Sequence, residues 1–548
     1  MDTINITFSN QEHQYPKGTP FYKISDDCKD VSNIVAVKIG NEVFQLDKLA
    51  NKSDKVDFIN YNDNIGNKIY KSGLKFIFEI ALQKAFPGFE ISYEHSVPKG
   101  MLGLIEGDKI LTSEDISKIK EQMIKIIDAD EVITKLNVIP ENAIKYYQEV
   151  GYYEKAANIQ NINDKMITLY KLDKNLNYFY SLMPYKTGVI NKFDLVYLGN
   201  NKIIFLIPNK YSKGQVPEYV HYEKIIDSFY EGKTWLEQMH MPYITNINKT
   251  ISNGTIKNFI RSSEIRFNLT LANIAKEIKN DSNIKFVMLA GPSSSGKTTT
   301  TARLAMYLET YGYDTVRLSI DDYFVNREDT PKDSNGKYDF ECLEAIDTNQ
   351  LNKDLKALLS GEEISLPKFN FITGQREITK DKIKLKENTI ILMEGLHALN
   401  DELTQDVDNK YKYKIYLSPF IPINIDRHNY ISTIDLRLLR RIIRDNRTRG
   451  YSVTKTMENW EKVREGEEKY IFPYVHQANK IINTALAYEV GVLKVYAEPL
   501  LYSVGIENTY YEEARRLLDF LKQFYPIPGE YINDESILRE FIGGKYND

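Results

Sequence analysis

The sequence predicts a multidomain α/β and α+β chain, with a doubly wound parallel sheet in its C-terminal part. Three observations carry this expectation. A length of 548 residues implies about three domains at roughly 100–200 residues each. After Asn283, apolar runs alternate with helical segments, the rhythm of strands crossing over into a parallel sheet. Ahead of that point the runs are shorter, and strand-like and helix-like patterns are mixed.

Taken in order, residues 1–62 hold alternating stretches such as INITF and IVAVKIGNEVFQL between turn-rich segments, which suits a small β-rich unit of low helical content. Residues 63–219 open on the helical IYKSGLKFIFEIALQKAF and then mix the strands NYFYSLM and KIIFLIP with the charged helix TSEDISKIKEQMIKIIDA, an α+β pattern. Residues 220–280 are helix-forming with SNGT as a break, and read as a connector packed on its neighbours. Residues 281–500 supply the candidate buried strands IKFVMLAG, TVRLSI, TIILMEG, YKIYLS and VLKVYA. Residues 501–548 form a C-terminal extension that carries the amphipathic helix YYEEARRLLDFLKQF.

Composition excludes several classes. Hydrophobic residues at 42%, charged residues at 27% and a net charge of -5 fit a globular chain without the basic excess of a bulk nucleic-acid binder. Any RNA contact is therefore expected to be local. The opening MDTINITFSN lacks a signal-peptide pattern, and no apolar run approaches the roughly 18 residues that cross a bilayer, so a cytoplasmic protein without membrane contact is expected. Cys28 and Cys342 are too few and too far apart for a disulfide framework or a thiolate metal site.

The chemistry concentrates in GPSSSGKT. Gly291, Gly296, Lys297 and Thr298 satisfy G-x-x-x-x-G-K-[ST] between an apolar strand and the helix KTTTTARLAMYLE. In that setting Ser293, Ser294, Ser295, Gly296 and Thr299 present backbone and hydroxyl donors to phosphate at a helix N-terminus, Lys297 meets the β/γ charge, and the Thr298 hydroxyl ligates Mg²⁺. The pattern predicts ATP binding. LSIDDYF sets Asp321 and Asp322 just after the second strand, where a carboxylate accepts a hydroxyl proton or caps a turn. Glu394 ends the strand TIILMEG, a place from which an acid reaches Mg²⁺, directly or through water, or simply closes a strand. In IDLRLLRRIIRDNRTRG, Arg437, Arg440, Arg441, Arg444 and Arg447 gather on one side of a helical wheel, opposite Leu438, Leu439, Ile442 and Ile443. One side is expected to pack. The other offers guanidiniums either as a lid over transferring phosphates or as a solvated or RNA-contacting face.

From about Ile284 to Ala485 these motifs resemble the uridine kinase family, within the phosphoribulokinase/uridine kinase group. GPSSSGKTT looks like its phosphate loop and LSIDDYF like its LSxDxFY, which implies Asp321 as general base. KYDFECLEAID resembles FDHPDAFD, implying Asp339 as the ribose-hydroxyl ligand. LPKFNFITGQR is similar to VPxYDFVTHSR, placing Phe369 and Arg376 in the acceptor region. EGLHAL matches EGILAF at Glu394, and RRIIRDNRTRG matches the lid, implying phosphate roles for Arg441, Arg444 and Arg449. Three departures stand out: the family's base-recognising Tyr and His are Phe369 and Gly374 here, and the Tyr of its DxFY is Phe324. The resemblance implies ATP- and Mg²⁺-dependent phosphoryl transfer to a nucleoside 5'-hydroxyl of the uridine or cytidine kind. The departures leave another nucleoside or ribosyl acceptor open, because a pocket without polar handles discriminates poorly.

The front resembles another pair of modules in the same order. Residues 1–62 look like a TGS domain of β-grasp type, and residues 63–219 look like the second additional domain of threonyl-tRNA synthetase. That domain's HxxxH and CxxxH editing motifs correspond here to KSGLK, with Lys71 and Lys75, and SLMPY, with Ser181 and Tyr185. The resemblance implies a retained scaffold without editing chemistry. An RNA contact through the front half, a small-ligand sensor, a cover for the kinase pocket and a homo-oligomer all stay open. A regulatory ATP-binding protein that contacts RNA is the alternative to a kinase.

Overall fold

The computed structural model describes residues 2–162, 164–333, 336–370 and 372–544. Residues 3–59 form a five-stranded mixed sheet in which Thr3–Phe8 pairs with Asp54–Ile59 in parallel and with Gln11–Pro16 antiparallel, so first and last strands meet at the centre. Helical content there is low, a four-residue helix Phe21–Ile24 and a single 3₁₀ turn. The next unit is built on the helix Asn64–Ala85, whose residues from Ile69 to Leu82 are almost all buried. It lies against a four-stranded antiparallel sheet of 90–97, 100–106, 194–199 and 202–206, and against the helix Ser113–Asp128. Thr112 caps the latter through a capping box with Asp115, as its T-x-x-D spacing allows. NYFYSLM does not form the expected strand, because the strand Asn175–Asn177 ends where that run begins and Tyr178–Met183 continue as irregular chain.

In the C-terminal part five strands pair in parallel in the spatial order 314–319, 389–394, 286–290, 412–418, 480–483. Period-two alternation divides their side chains between two cores. Phe286, Met288 and Ala290 enter one, with Ile391, Met393 and the helix Thr348–Leu359. Val287 and Leu289 enter the other, with Leu304 and Leu308 of the helix Lys297–Glu309 and Leu271 and Ile274 of the helix Ile256–Lys279. Helices on both faces make the sheet doubly wound, as expected. The fifth strand is Lys480–Asn483, whereas VLKVYA, read as a strand, lies within the helix Glu489–Tyr502. Five of its six residues are hydrophobic, a run short enough to suit either form, and in the helix Val492, Leu493 and Ala497 turn into the core while Val495 is exposed.

A short hairpin ties the two parts together. Strands Asn424–Asp426 and Asn429–Tyr430 follow the fourth strand of the parallel sheet and insert into the front unit. Tyr93 N donates to Arg427 O at 2.8 Å, Asn424 Nδ2 donates to Tyr93 O at 2.9 Å, and Lys75 Nζ donates to His428 O at 2.6 Å. Lys155 and Asp426, both buried, form an ion pair at 3.0 Å. No helix among the described residues is long and apolar enough to cross a membrane.

Candidate active site

The glycine-rich loop sits where strand order reverses, at the carboxyl end of the central strand Phe286–Ala290. Ser294 and Gly296 both adopt left-handed backbone, φ 60° and 84°, and this turns successive N–H groups inward above the helix Lys297–Glu309. Gly291 is required sterically, since a Cβ there would lie 2.4 Å from Leu417 O. Buried hydroxyls of Ser294, Ser295, Thr300 and Thr301 have no hydrogen-bond partner among the described residues. Together with the loop's converging N–H groups, the orphaned hydroxyls of the loop residues Ser294 and Ser295 fit a polyphosphate.

Lys297 Nζ donates to Gly291 O at 2.8 Å and to Pro292 O at 3.3 Å. Desolvation pulls its pKa down, while Glu394, Glu540 and Asp321 oppose the shift. Thr298 Oγ1, exposed at the loop mouth, lies 3.2 and 3.3 Å from the two oxygens of Glu394. A hydroxyl and a carboxylate side by side match the way Mg²⁺ is held in phosphate-transfer sites, by few protein ligands with substrate phosphates and water completing the shell. Among the described residues no group of three or more His, Cys, Asp or Glu closes into a protein-only cage.

The structure separates the two aspartates. Asp322 accepts the N–H of Phe369 at 3.3 Å and so anchors the hairpin of 363–370 and 375–384. The Asp321 carboxylate has no such duty among the described residues. Burial raises its pKa, Lys297 draws it back down, and Asp322 adds to the rise. Glu341, two residues beyond Asp339, is a further acid in the cleft. Burial, with Asp321 and Glu467 adding, pushes it up to about 7, against Arg441 and Lys297.

The acceptor-side residues are distributed differently. Asp339 accepts from Glu341 N at 3.1 Å and from Tyr470 OH at 3.5 Å. Arg376 is ion-paired with Asp347 at 2.8 Å, the residue that caps the helix Thr348–Leu359. Phe369 is buried edge-on to Phe324, 5.5 Å between ring centres, so the two aromatic replacements pack on each other. Gly374 has φ 74°, and atoms of Arg327 occupy the space a side chain there would need. Phe371, in the middle of LPKFNFITGQR, lies outside the described residues.

The arginine helix Thr433–Arg449 corrects one expectation. The first half of its basic side is closed against the phosphate loop, with Arg437 and Arg440 as buried as the leucines, while Arg447 and Arg449 at its far end are exposed. Arg437 Nε donates to Ser293 O at 2.9 Å and Arg440 Nη1 to Ser294 O at 3.2 Å, while Arg437 pairs with Glu467 and Arg440 with Glu489 and Thr484 O. These two are clamps on the loop backbone. Buried guanidiniums require this, since an unpaired charge there would cost several kcal/mol, about 3–5. Arg441 Nη1 reaches Ser293 Oγ at 2.7 Å, and Arg441, Arg444 and Arg449 all surround the buried Asp445 at 3.2, 3.1 and 3.4 Å. Asp445 thus gathers the three arginines expected at phosphate.

Sequence reasoning missed two acids. Glu341 falls where the resembled motif has no carboxylate. Glu540 comes from the C-terminal extension, 241 residues from Thr299, whose Oγ1 donates to it at 2.9 Å. Ile537 packs directly on Gly296, and Arg447 donates to the carbonyls of Glu540 and Phe541 at 3.1 and 3.3 Å. No spacing in the sequence signals this contact.

A parallel sheet with a glycine-rich anion cradle at its switch point defines the C-terminal part as a P-loop domain. Residues 286–490 match the family model of the Phosphoribulokinase / Uridine kinase family. The uridine kinase of Halobacterium salinarum is 27% identical over 197 residues, 35% of this chain and 77% of that protein. That of Staphylococcus aureus is 29% identical over 196 residues, 35% of this chain and 84% of its own. A solved structure described as a "Possible Uridine Kinase from Bacillus stearothermophilus" is 17% identical, covers 40% of this chain and 99% of its own, and has a TM-score of 0.28.

Proposed function

We propose that this protein is an ATP- and Mg²⁺-dependent kinase that phosphorylates the 5'-hydroxyl of a nucleoside, uridine or cytidine first, with other ribosyl acceptors as the alternative. The observation that carries this reading is the convergence on one cleft of the loop lysine, the Thr298–Glu394 pair and Asp321, whose carboxylate has no hydrogen bond among the described residues. Lys297 and the loop N–H groups orient the β- and γ-phosphates. Thr298 and Glu394 would hold Mg²⁺, which neutralises charge developing on the phosphoryl oxygens. Asp321 takes the proton of the acceptor hydroxyl as its oxygen bonds to the γ-phosphorus and the bond to the ADP oxygen breaks. Arg441, Arg444 and Arg449 meet the transferring group when they exchange Asp445 for phosphate. Asp339 orients the ribose, and Phe369 supplies an apolar wall where the resembled enzymes hold a base by hydrogen bonds.

The test is transfer of labelled γ-phosphate from ATP to a panel of nucleosides and ribosyl metabolites, with Lys297→Ala as control. Label on uridine or cytidine supports the reading as stated. Label on a different acceptor moves the specificity. ATP binding with no labelled acceptor overturns the kinase and favours a nucleotide-regulated protein.

A further inference from the structure

A cavity of about 800 Å³ lies between the front unit and the P-loop domain, away from Asp321 and Asp339. That volume suits a metabolite-sized ligand and is too confined for a folded macromolecule. Its charged wall groups are unevenly committed. Lys68 and Arg516 are spent on Asp435 and Glu513, and Lys210 on Glu461. Lys71, one helical turn before Lys75 on the helix Asn64–Ala85, has neither a hydrogen bond nor an ion pair among the described residues. Lys75 gives one hydrogen bond, to His428 O, and otherwise faces the rings of Tyr93 and Phe179, each 5.0 Å away. Burial, with Lys155 and Lys71 adding, drives its pKa down to about 7, against Asp426 and Glu79. The hydroxyls of Ser72 and Ser181, also on the wall, have no partner among the described residues.

Two amines on adjacent turns lining one cleft repel each other, and a shared anion offsets that repulsion. We propose that this junction cavity binds a small anionic metabolite, with its phosphate or carboxylate group seated between Lys71 and Lys75 and hydrogen-bonded by Ser72 and Ser181. The site is connected to the phosphate loop. Pro292 and Arg437 line the same cavity, and Arg437 is the clamp on Ser293 O. Tyr430, also on the wall, ends the hairpin that leads into the arginine helix.

The experiment is calorimetric titration of full-length Lys297→Ala protein, in which binding at the phosphate loop is disabled, with pyrophosphate and with citrate as probes. Because no phosphoryl transfer is needed, its outcome is independent of the kinase reading. Saturable binding of at least one probe is expected, weakened at least tenfold by adding Lys71→Ala or Ser181→Ala and retained in Lys71→Arg. Pyrophosphate alone would mark a phosphate ligand, citrate alone a carboxylate. Thermal melts of each variant without probe establish that it is folded. No binding of either probe, or binding indifferent to Lys71→Ala, overturns the proposal.

Discussion

Arg437 and Arg440 at the phosphate loop and Lys75 on the front cavity, with the half-buried Lys71 beside it, are cations drawn out of water, yet the protein treats the two sets oppositely. Arg437 and Arg440 are paired with the buried Glu467 and Glu489, and each also donates to a loop carbonyl, Ser293 O and Ser294 O. Lys71 and Lys75 have no carboxylate within ion-pair distance among the described residues. A guanidinium has five donors in a fixed fork and serves as a structural tie; an ammonium is a compact charge that can be left waiting and shifts its pKa when desolvated. Paired charge holds the loop in shape, and unpaired charge marks a place for a ligand.

Four variants test this contrast, in order of decreasing effect. Lys297→Ala is expected to lower kcat/KM by about 10³-fold or more with a small change in melting temperature, because it removes the charge that meets phosphate and, from the fold, only two hydrogen bonds to loop carbonyls. Steady-state kinetics beside a thermal melt checks this, and near-normal turnover would detach the loop from catalysis. Arg440→Met leaves Glu489 buried without its partner and should cost about 3–5 kcal/mol in denaturant unfolding, partly recovered in the double variant with Glu489→Gln. If Arg440→Met is neutral, the clamp description is wrong.

Lys75→Met should act with the opposite sign. The folded amine titrates near 7 against 10.5 for an ordinary lysine, so the penalty for burying its charge is complete below pH 7 and fades as pH rises from 7 toward 10.5. The variant is therefore expected to be more stable by about 2 kcal/mol at pH 6 and to converge on the parent near pH 10. Parallel stability curves for the two proteins would mean that the amine is already compensated. The smallest effect is expected from Glu540→Gln. Removing a negative charge beside Thr299 and Lys297 should lower KM for ATP by about three- to tenfold with little change in kcat. An unchanged or raised KM would place Glu540 outside the path of the nucleotide.

Much of the C-terminal site was legible because its signals are local. A loop of fixed spacing, an aspartate pair after a strand and a glutamate at a strand end all follow from short-range sequence. The strand order of the sheet matches a doubly wound arrangement for the same reason: each apolar run alternates with a helix. VLKVYA forms a helix and not the expected strand because six residues are too few to separate the two periods, and only the longer helix shows Val492, Leu493 and Ala497 on one buried face with Val495 exposed. The arginine helix was read correctly as a helix with a basic side, but whether that side met water or protein depended on a surface distant in sequence.

By itself the sequence determined the phosphate loop, its strand and helix, and the carboxylates placed beside it, since each rests on contacts within a few residues. Only the tertiary structure decided which aspartate of the pair turned toward Lys297, that Glu540 returned across 241 residues to the loop, and that Lys71, Lys75 and Ser181 faced one cavity with the back of the phosphate loop. Burial and pairing of charge are properties of surfaces that meet, and those surfaces here come from opposite ends of the chain.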